Sequence, residues 1–256
     1  MTAPRIFTPE YYERMRALES DGWWNAAMRD VAGLLLHEAS LDSSGVMLDV
    51  GCGSGQTAVW FAAGYPGWRV TGLDVASEGL AAAQARGVDV TQASALALPY
   101  PDQSIDAIVT LDVVQHLPLN GGDETALREM RRVLRDGGTL LLRTNAQAFP
   151  RTPDDPAFDF HRYEPGELRT KLERSGFSVR RLSRINALLG LAEIPRELRA
   201  ARKQASSYHG ILARPAAAGG LGNALKRQWL GVEGRAVRAG IALPFGRTIL
   251  ALCQAR

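Results

Sequence analysis

Between residues 46 and 145, short apolar runs bounded by Gly, Pro and Asp alternate with stretches of helical spacing. VMLDV (46–50) precedes a glycine loop and TAVWFAAGY (57–65). WRVTGLDV (68–75) precedes SEGLAAAQARG (77–87), and VDVTQAS (88–94) runs into a Pro-rich connection. IDAIVTLD (105–112) precedes TALREMRRVLRDGG (125–138), and TLLLRTN (139–145) follows. Strands covered on both faces read as continuous apolar runs, and parallel neighbours need a crossover between them. The pattern therefore predicts βαβ units and a parallel, doubly wound α/β sheet. The 125–138 helix is expected to close at Gly137-Gly138, with Arg131, Arg132 and Arg135 complementing its C-terminal dipole.

The flanks are less regular. Upstream, the spacing of Leu18, Met28, Val31, Leu34 and Leu35 predicts two helices, 9–20 and 23–38, broken near Gly22. Downstream, 146–162 reads as loop, Pro165–Ser175 as a helix closed by Gly176, and FSVRRLSRI (177–185) as a strand. Within 186–246, LLGLAEIPRELRAARKQ and LKRQWLGVEGRAVRAG read as helices around a flexible RPAAAGGLGNA. TILALC (248–253) is a closing apolar strand.

Composition narrows the functional classes. Two distant cysteines, Cys52 and Cys253, make neither a disulfide framework nor a zinc spacing, so a reducing, cytoplasmic setting is expected. The N-terminus lacks the apolar region of a secretory signal. The most apolar stretch, AGIALPFGRTILALC, is interrupted by Pro244, Gly246 and Arg247, short of the roughly 18–20 apolar residues of a membrane span. Net charge is +3, unevenly spread: residues 1–160 hold 12 Lys+Arg against 21 Asp+Glu, and 161–256 hold 18 against 6. Such a basic part admits an anionic substrate, a lipid surface or nucleic acid, although a solvated Arg-rich surface is the commoner reason. There is no RNP-type motif and no aromatic–basic interleaving, so no nucleic-acid partner is expected. The stretch LLGLAEIPRELRAARK keeps peripheral membrane contact open as a minor alternative. A monomer or a homodimer fits the chain equally.

LDVGCGSG (48–55) places Gly51, Gly53 and Gly55 after a strand and before a helix, where a turn needs positive φ and close approach to a ligand. The spacing is GxGxG; position 56 is Gln, which breaks the GxGxxG dinucleotide fingerprint. Asp74 ends the next strand, where a ribose diol would lie. Two carboxylates, Asp49 and Asp74, without a P-loop lysine suit a ligand with a ribose and a positive centre. Alone, Asp74 reads equally well as a helix N-terminal residue.

The series LDVGCGSG, GLDVA, ALPYPDQSIDAIV, LDVVQHLP and LREMRRVLRDGGTLLLRT resembles class I S-adenosylmethionine-dependent methyltransferases, over about residues 45–145. ALESDGWWNAAMRD, FHRYEPGELRTKLERSGFSV and LPFGRTILAL are similar to the flanks of a bacterial small-molecule subgroup. The resemblance implies a Rossmann-like, seven-stranded sheet with its last strand antiparallel, 248–253 lying beside 177–184. It implies an N-terminal helical cap (1–40), a cofactor-binding core (41–185), a helical lid or substrate insertion (186–246) and a final core strand (247–256). It also implies S-adenosyl-L-methionine as cofactor, with S-adenosyl-L-homocysteine as product. The cofactor would lie against Gly51, Cys52, Gly53 and Gly55, with Asp49 orienting the loop or the ammonium and Asp74 taking the ribose hydroxyls. Val75, Ser94 and Ala95 would flank adenine; Ser94 stands where the family often has an Asp, and a neutral hydroxyl bonds less strongly. Leu111, Asp112 and Gln115 would form the far rim, and Trp23 or Trp24 would close over the sulfonium or stack an aromatic acceptor.

A sulfonium is already an activated donor, so transfer needs an in-line nucleophile and exclusion of water, and a base only for a protonated, weakly acidic nucleophile. His116 is the leading base candidate and His161 the second; a structural histidine or a cofactor or substrate contact is the commoner reading of such a residue. Asp112-x-x-Gln115-His116 departs from the E-x-x-E-H of metal-dependent O-methyltransferases, because neutral Gln is a poor ligand, so no metal is expected. The expected reaction is methyl transfer to an O, N or C nucleophile of a small molecule, a natural-product-like one suiting the long insertion. The alternative is rearrangement, cyclisation or decarboxylation with the cofactor held only as a cation. A base-flipping nucleic-acid enzyme is disfavoured, since LDVV stands where an NPPY-like tetrad belongs.

Overall fold

The computed structural model describes residues 23–147, 160–187 and 220–256. Seven strands form one sheet: β1 (Gly45–Val50), β2 (Trp68–Asp74), β3 (Asp89–Gln92), β4 (Ile105–Leu111), β5 (Leu134–Asn145), β6 (Phe177–Ile185) and β7 (Thr248–Ala255). Their order is β3-β2-β1-β4-β5-β7-β6. The first five are parallel, and β7 runs antiparallel to both neighbours, as expected. The order reverses between β1 and β4, which opens a crevice at their carboxyl ends where ligands bind in open α/β sheets.

Alternation along each strand divides the core in two. Leu48, Val50, Ile108, Leu140 and Leu142 face helices α4 (Gly122–Val133) and α5 (Pro165–Arg174). Met47, Val109, Leu141, Leu250 and Leu252 face the opposite side, with α1 (Trp23–Leu36), α6 (Leu221–Arg238) and Phe61 of α2 (Gln56–Gly64). Both faces are apolar because both are covered, and each fully buried Leu or Phe contributes about 1.5–3 kcal/mol. Helix α3 (Ser77–Ala85) packs on β2 and β3.

Helix α4 differs from its sequence expectation at both ends. It begins at Gly122, capped by Gly121 in the left-handed region, and ends at Val133. Gly137-Gly138 do not close it. Leu134 already pairs with Ile105, the register slips, and Thr139 pairs with Ala107. Arg135 therefore lies in β5, where its Nη1 meets Asp106 Oδ1 at 2.5 Å. A charge anchor across the sheet edge, together with Gly137 at φ +78°, lets the strand bulge where the local signal favours a helix stop.

The expected 23–38 helix is α1 followed by a short 3-10 turn, His37–Ala39. Helix α6 falls within the range read as an insertion. Leu230 and Val237 bury against α1 and the sheet, and Arg227 pairs with Asp30 of α1 at 2.7 Å. Its Glu233 is 4% exposed and gathers the N–H groups of Asn186 and Ala187, just past β6, and the Trp229 indole N–H. The 9–20 helix and the LLGLAEIPRELRAARKQ helix lie outside the described residues. Among the described residues no helix is long and apolar enough to cross a membrane.

Candidate functional site

The loop leaving β1 turns back on β2, with the N–H groups of Gly51 and Cys52 both donating to Leu73 O at 2.7 and 3.0 Å. Gly51, Gly53 and Gly55 all have positive φ, at +78°, +51° and +77°. At Gly51 a Cβ would lie 2.2 Å from Val113 Cγ2, so the loop also closes against the segment leaving β4. Gly55 caps α2, and position 56 is its first residue, which is why the third glycine falls at 55. Cys52 is buried and points into the sheet, its Sγ 2.6 Å from where a Cβ on Gly72 would stand.

Asp74 is buried at the end of β2 and is anchored by backbone. Its Oδ2 accepts from Gly53 N at 2.8 Å and its Oδ1 from Ala76 N at 3.0 Å. Each oxygen keeps a lone pair for a further donor. Val75 is exposed at the lip. Ser94 Oγ accepts from Leu96 N at 3.2 Å and shapes the loop after β3, and Ala95 is buried beneath it. Asp49 lies buried on the α1–α6 side of β1. This cradle of three left-handed glycines beside a carboxylate with free lone pairs suits a ribose-bearing ligand.

The segment after β4 forms the other wall. Asp112, at φ +62°, is gripped by Arg143 of β5: Nε reaches Oδ1 at 3.1 Å, Nη2 bonds Oδ2, and Asp112 N donates to Arg143 O at 2.9 Å. Gln115 is 2% exposed, takes a hydrogen bond from Thr144 Oγ1 at 2.8 Å and offers its carbonyl to His161 N. Its side chain is thus occupied in the core beside β5. Among the described residues no group of three or more His, Cys, Asp or Glu is placed to hold a metal ion.

His116 is half-buried, with its ring 5.1 Å from that of Phe160. Burial pushes its pKa down to about 4, against a smaller upward pull from Asp112. The imidazole is neutral at neutral pH and a weak base. His161 sits in a polar network. Its Nε2 lies 2.8 Å from Glu167 Oε1 and its ring stacks edge-on to Tyr163 at 4.3 Å. Tyr163 donates to Asp123 Oδ2 at 2.9 Å, and Lys171 Nζ reaches the same oxygen at 2.6 Å. Burial drives Asp123 upward, but the Lys171 and Tyr163 hydrogen bonds outweigh it and hold the carboxyl below its usual range. A cavity of about 30 Å³ lies between His161, Tyr163, Asp123 and Lys171, room for a water-sized guest.

Trp23 and Trp24 meet edge to face, with centroids 6.1 Å apart, and pack with Leu111 against the α1–α6 core. Lys226 of α6 already lies 5.2 Å from the Trp23 ring centre, so one face of that indole has a resident cation. Sequence reasoning missed Arg143, the Asp123–Lys171 pair and Glu233. An arginine inside the apolar run LLLRTN was a signal, because an unpaired charge is not kept in a sheet interior.

Residues 48–142 match the model of a family described as a methyltransferase domain. A probable S-adenosylmethionine-dependent methyltransferase of Mycolicibacterium smegmatis is 35% identical over 153 residues, 58% of this chain and 58% of that protein. The chain thus spans little more than half of that relative. Among solved structures, a phosphoethanolamine N-methyltransferase 2 of Haemonchus contortus, in complex with S-adenosyl-L-methionine, matches 98% of this chain and 58% of its own. That match has a TM-score of 0.64 and 17% identity. The [4+2]-cyclase SpnF matches 91% of this chain and 82% of its own, with a TM-score of 0.60 and 23% identity. At these identities the structural likeness speaks for the fold alone.

Proposed function

We propose that this chain transfers a methyl group from S-adenosyl-L-methionine to a nucleophile on a small molecule, a reading supported by the methyltransferase-domain match at residues 48–142 and the likeness to a probable S-adenosylmethionine-dependent methyltransferase. The observation that carries this reading is the pairing of the left-handed Gly51–Gly55 loop with Asp74 at the switch point of the sheet. The bound cofactor supplies an electrophilic methyl on a sulfonium. Gly51, Gly53 and Gly55 allow the close approach of its methionine part, and Asp74 accepts from its ribose hydroxyls with the lone pairs left by Gly53 and Ala76. Asp49 holds the loop from beneath, and Val75, Ser94 and Ala95 border the adenine. Trp23, Trp24 and Leu111 wall the acceptor side and keep water from it. His116 shapes the pocket as a neutral ring, and His161 fixes the segment after β5.

Calorimetry with S-adenosylhomocysteine tests the cofactor half of this reading. Wild-type protein binds it, and Asp74→Ala weakens binding about 100-fold, as expected when a buried charged acceptor of several hydrogen bonds is lost. An unchanged affinity would remove the basis of the proposal. An acceptor panel read by mass, together with assay for S-adenosylhomocysteine, separates methyl transfer from rearrangement, cyclisation or decarboxylation, which leave the cofactor intact.

A further inference from the structure

The carboxyl ends of β4 and β5 carry a charge pair, Asp112 and Arg143, and the cofactor site gives its arginine no task. Arg143 is 7% exposed. Leu140 and Leu142 face α4 and α5 while Leu141 faces α1 and α6, so Arg143 stands on the α1–α6 side with Leu111 and the two tryptophans. Among the described residues its side chain bonds only Asp112, through Nε and Nη2. The Nη1 donors are therefore unused among the described residues. A guanidinium buried to this degree with idle donors calls for an acceptor. Beside it the Asp112 side chain is 39% exposed. Three hydrogen bonds to one residue hold Asp112 in the left-handed region, which Asp enters more readily than most side chains. The two guanidinium contacts fix the direction of its carboxylate. It lies one residue from Val113, which closes on Gly51, so the pair borders the cofactor cradle.

We propose that the Asp112–Arg143 fork is the acceptor-recognition element and that it selects a hydroxyl, phenolic or enolic, whose oxygen receives the methyl group. The inference rests on the methyl-transfer reading above. A hydroxyl oxygen accepts from Arg143 Nη1 while its proton points to Asp112. A carboxylate would satisfy the arginine but be repelled by Asp112, and an ammonium would satisfy Asp112 but be repelled by Arg143. A carbon nucleophile without a hydroxyl would leave both unsatisfied. In the transfer, a lone pair of the acceptor oxygen forms the new O–C bond. The S–C bond breaks with its electron pair staying on sulfur, and the hydroxyl proton passes to the Asp112 carboxylate and then to water. Arg143 stabilises the charge that gathers on oxygen before the bond forms.

The test uses protein saturated with S-adenosylhomocysteine and two isosteric probes, 4-nitrophenol and 4-nitroaniline. The phenol should bind about tenfold tighter than the aniline, the value of one charge-assisted hydrogen bond. Arg143→Met and Asp112→Asn should each abolish the preference, and Arg143→Met should leave affinity for S-adenosylhomocysteine unchanged. Asp112→Asn guards against misfolding, because asparagine takes the left-handed conformation readily. The proposal fails if the aniline binds as well as the phenol, if neither binds, or if the preference survives in Arg143→Met. It also fails if Arg143→Met loses S-adenosylhomocysteine rather than the phenol, which would assign the fork to the cofactor. Wild-type protein that binds no S-adenosylhomocysteine would overturn the methyl-transfer reading itself, and this one with it.

Discussion

The two walls of the crevice hold their carboxylates by different means. On the β1–β2 side, Asp74 is fixed by backbone N–H groups of Gly53 and Ala76, on a loop made of left-handed glycines. On the β4–β5 side, Asp112 is fixed by an arginine 31 residues away and keeps its own backbone left-handed without glycine. A backbone cradle is insensitive to side-chain substitution around it but intolerant of any Cβ. A side-chain fork tolerates backbone change but depends on its one partner. The first arrangement suits a ligand part that is always the same, and the second suits one that varies.

Substitutions should separate the walls in a graded way. The largest effect is expected at Gly51→Ala. Its left-handed φ and the 2.2 Å approach to Val113 should together lower stability by about 3 kcal/mol, read by thermal melting, and abolish S-adenosylhomocysteine binding. Next is Asp74→Ala, with its 100-fold loss of cofactor affinity and a smaller loss of stability. Arg143→Met should lower stability by about 1–2 kcal/mol, because the orphaned Asp112 is partly solvated, while leaving cofactor affinity unchanged. If Arg143→Met weakened the cofactor as Asp74→Ala does, the walls would be one site and the contrast would fall.

His116 gives a smaller and pH-dependent signature. Its folded pKa, about 4, lies below the ordinary 6.5, so the unfolded chain binds more protons between those values. Stability is full above about pH 7 and declines as pH falls through 6.5 toward 4. His116→Gln should flatten that part of a denaturant-midpoint profile. The smallest change is expected at Arg69→Ala, which breaks an ion pair with Asp89 between two largely exposed side chains and should shift stability by less than about 0.5 kcal/mol.

The same contrast explains what was legible in the sequence. The glycine loop and Asp74 are read from short, ordered spacing, because a strand, a turn and the next strand's end lie close in the chain as well as in space. The parallel sheet and its antiparallel seventh strand follow from the apolar runs and the resemblance they carry. Asp112 was visible, but its partner was not, since nothing local links position 112 to 143. The β5 bulge was misread for a related reason. Arg135 and Gly137 look like a helix end until Asp106, on a neighbouring strand, supplies the competing anchor. His116 was a base candidate on its ordinary pKa, and only packing shows how far burial moves it.

Strand β7 follows all six others in the chain yet lies between β5 and β6. While the polypeptide is being synthesised, β5 presents an unpaired edge and β6 has no strand to join. Assembly of the parallel half can begin early from neighbouring contacts, whereas the other half must wait for residues 248–255 to arrive and fill the gap. The Arg143 strand is thus the last of the inner strands to gain its second neighbour. The β4–β5 wall of the crevice should become rigid only in the final step of folding, after the glycine-loop wall has taken shape.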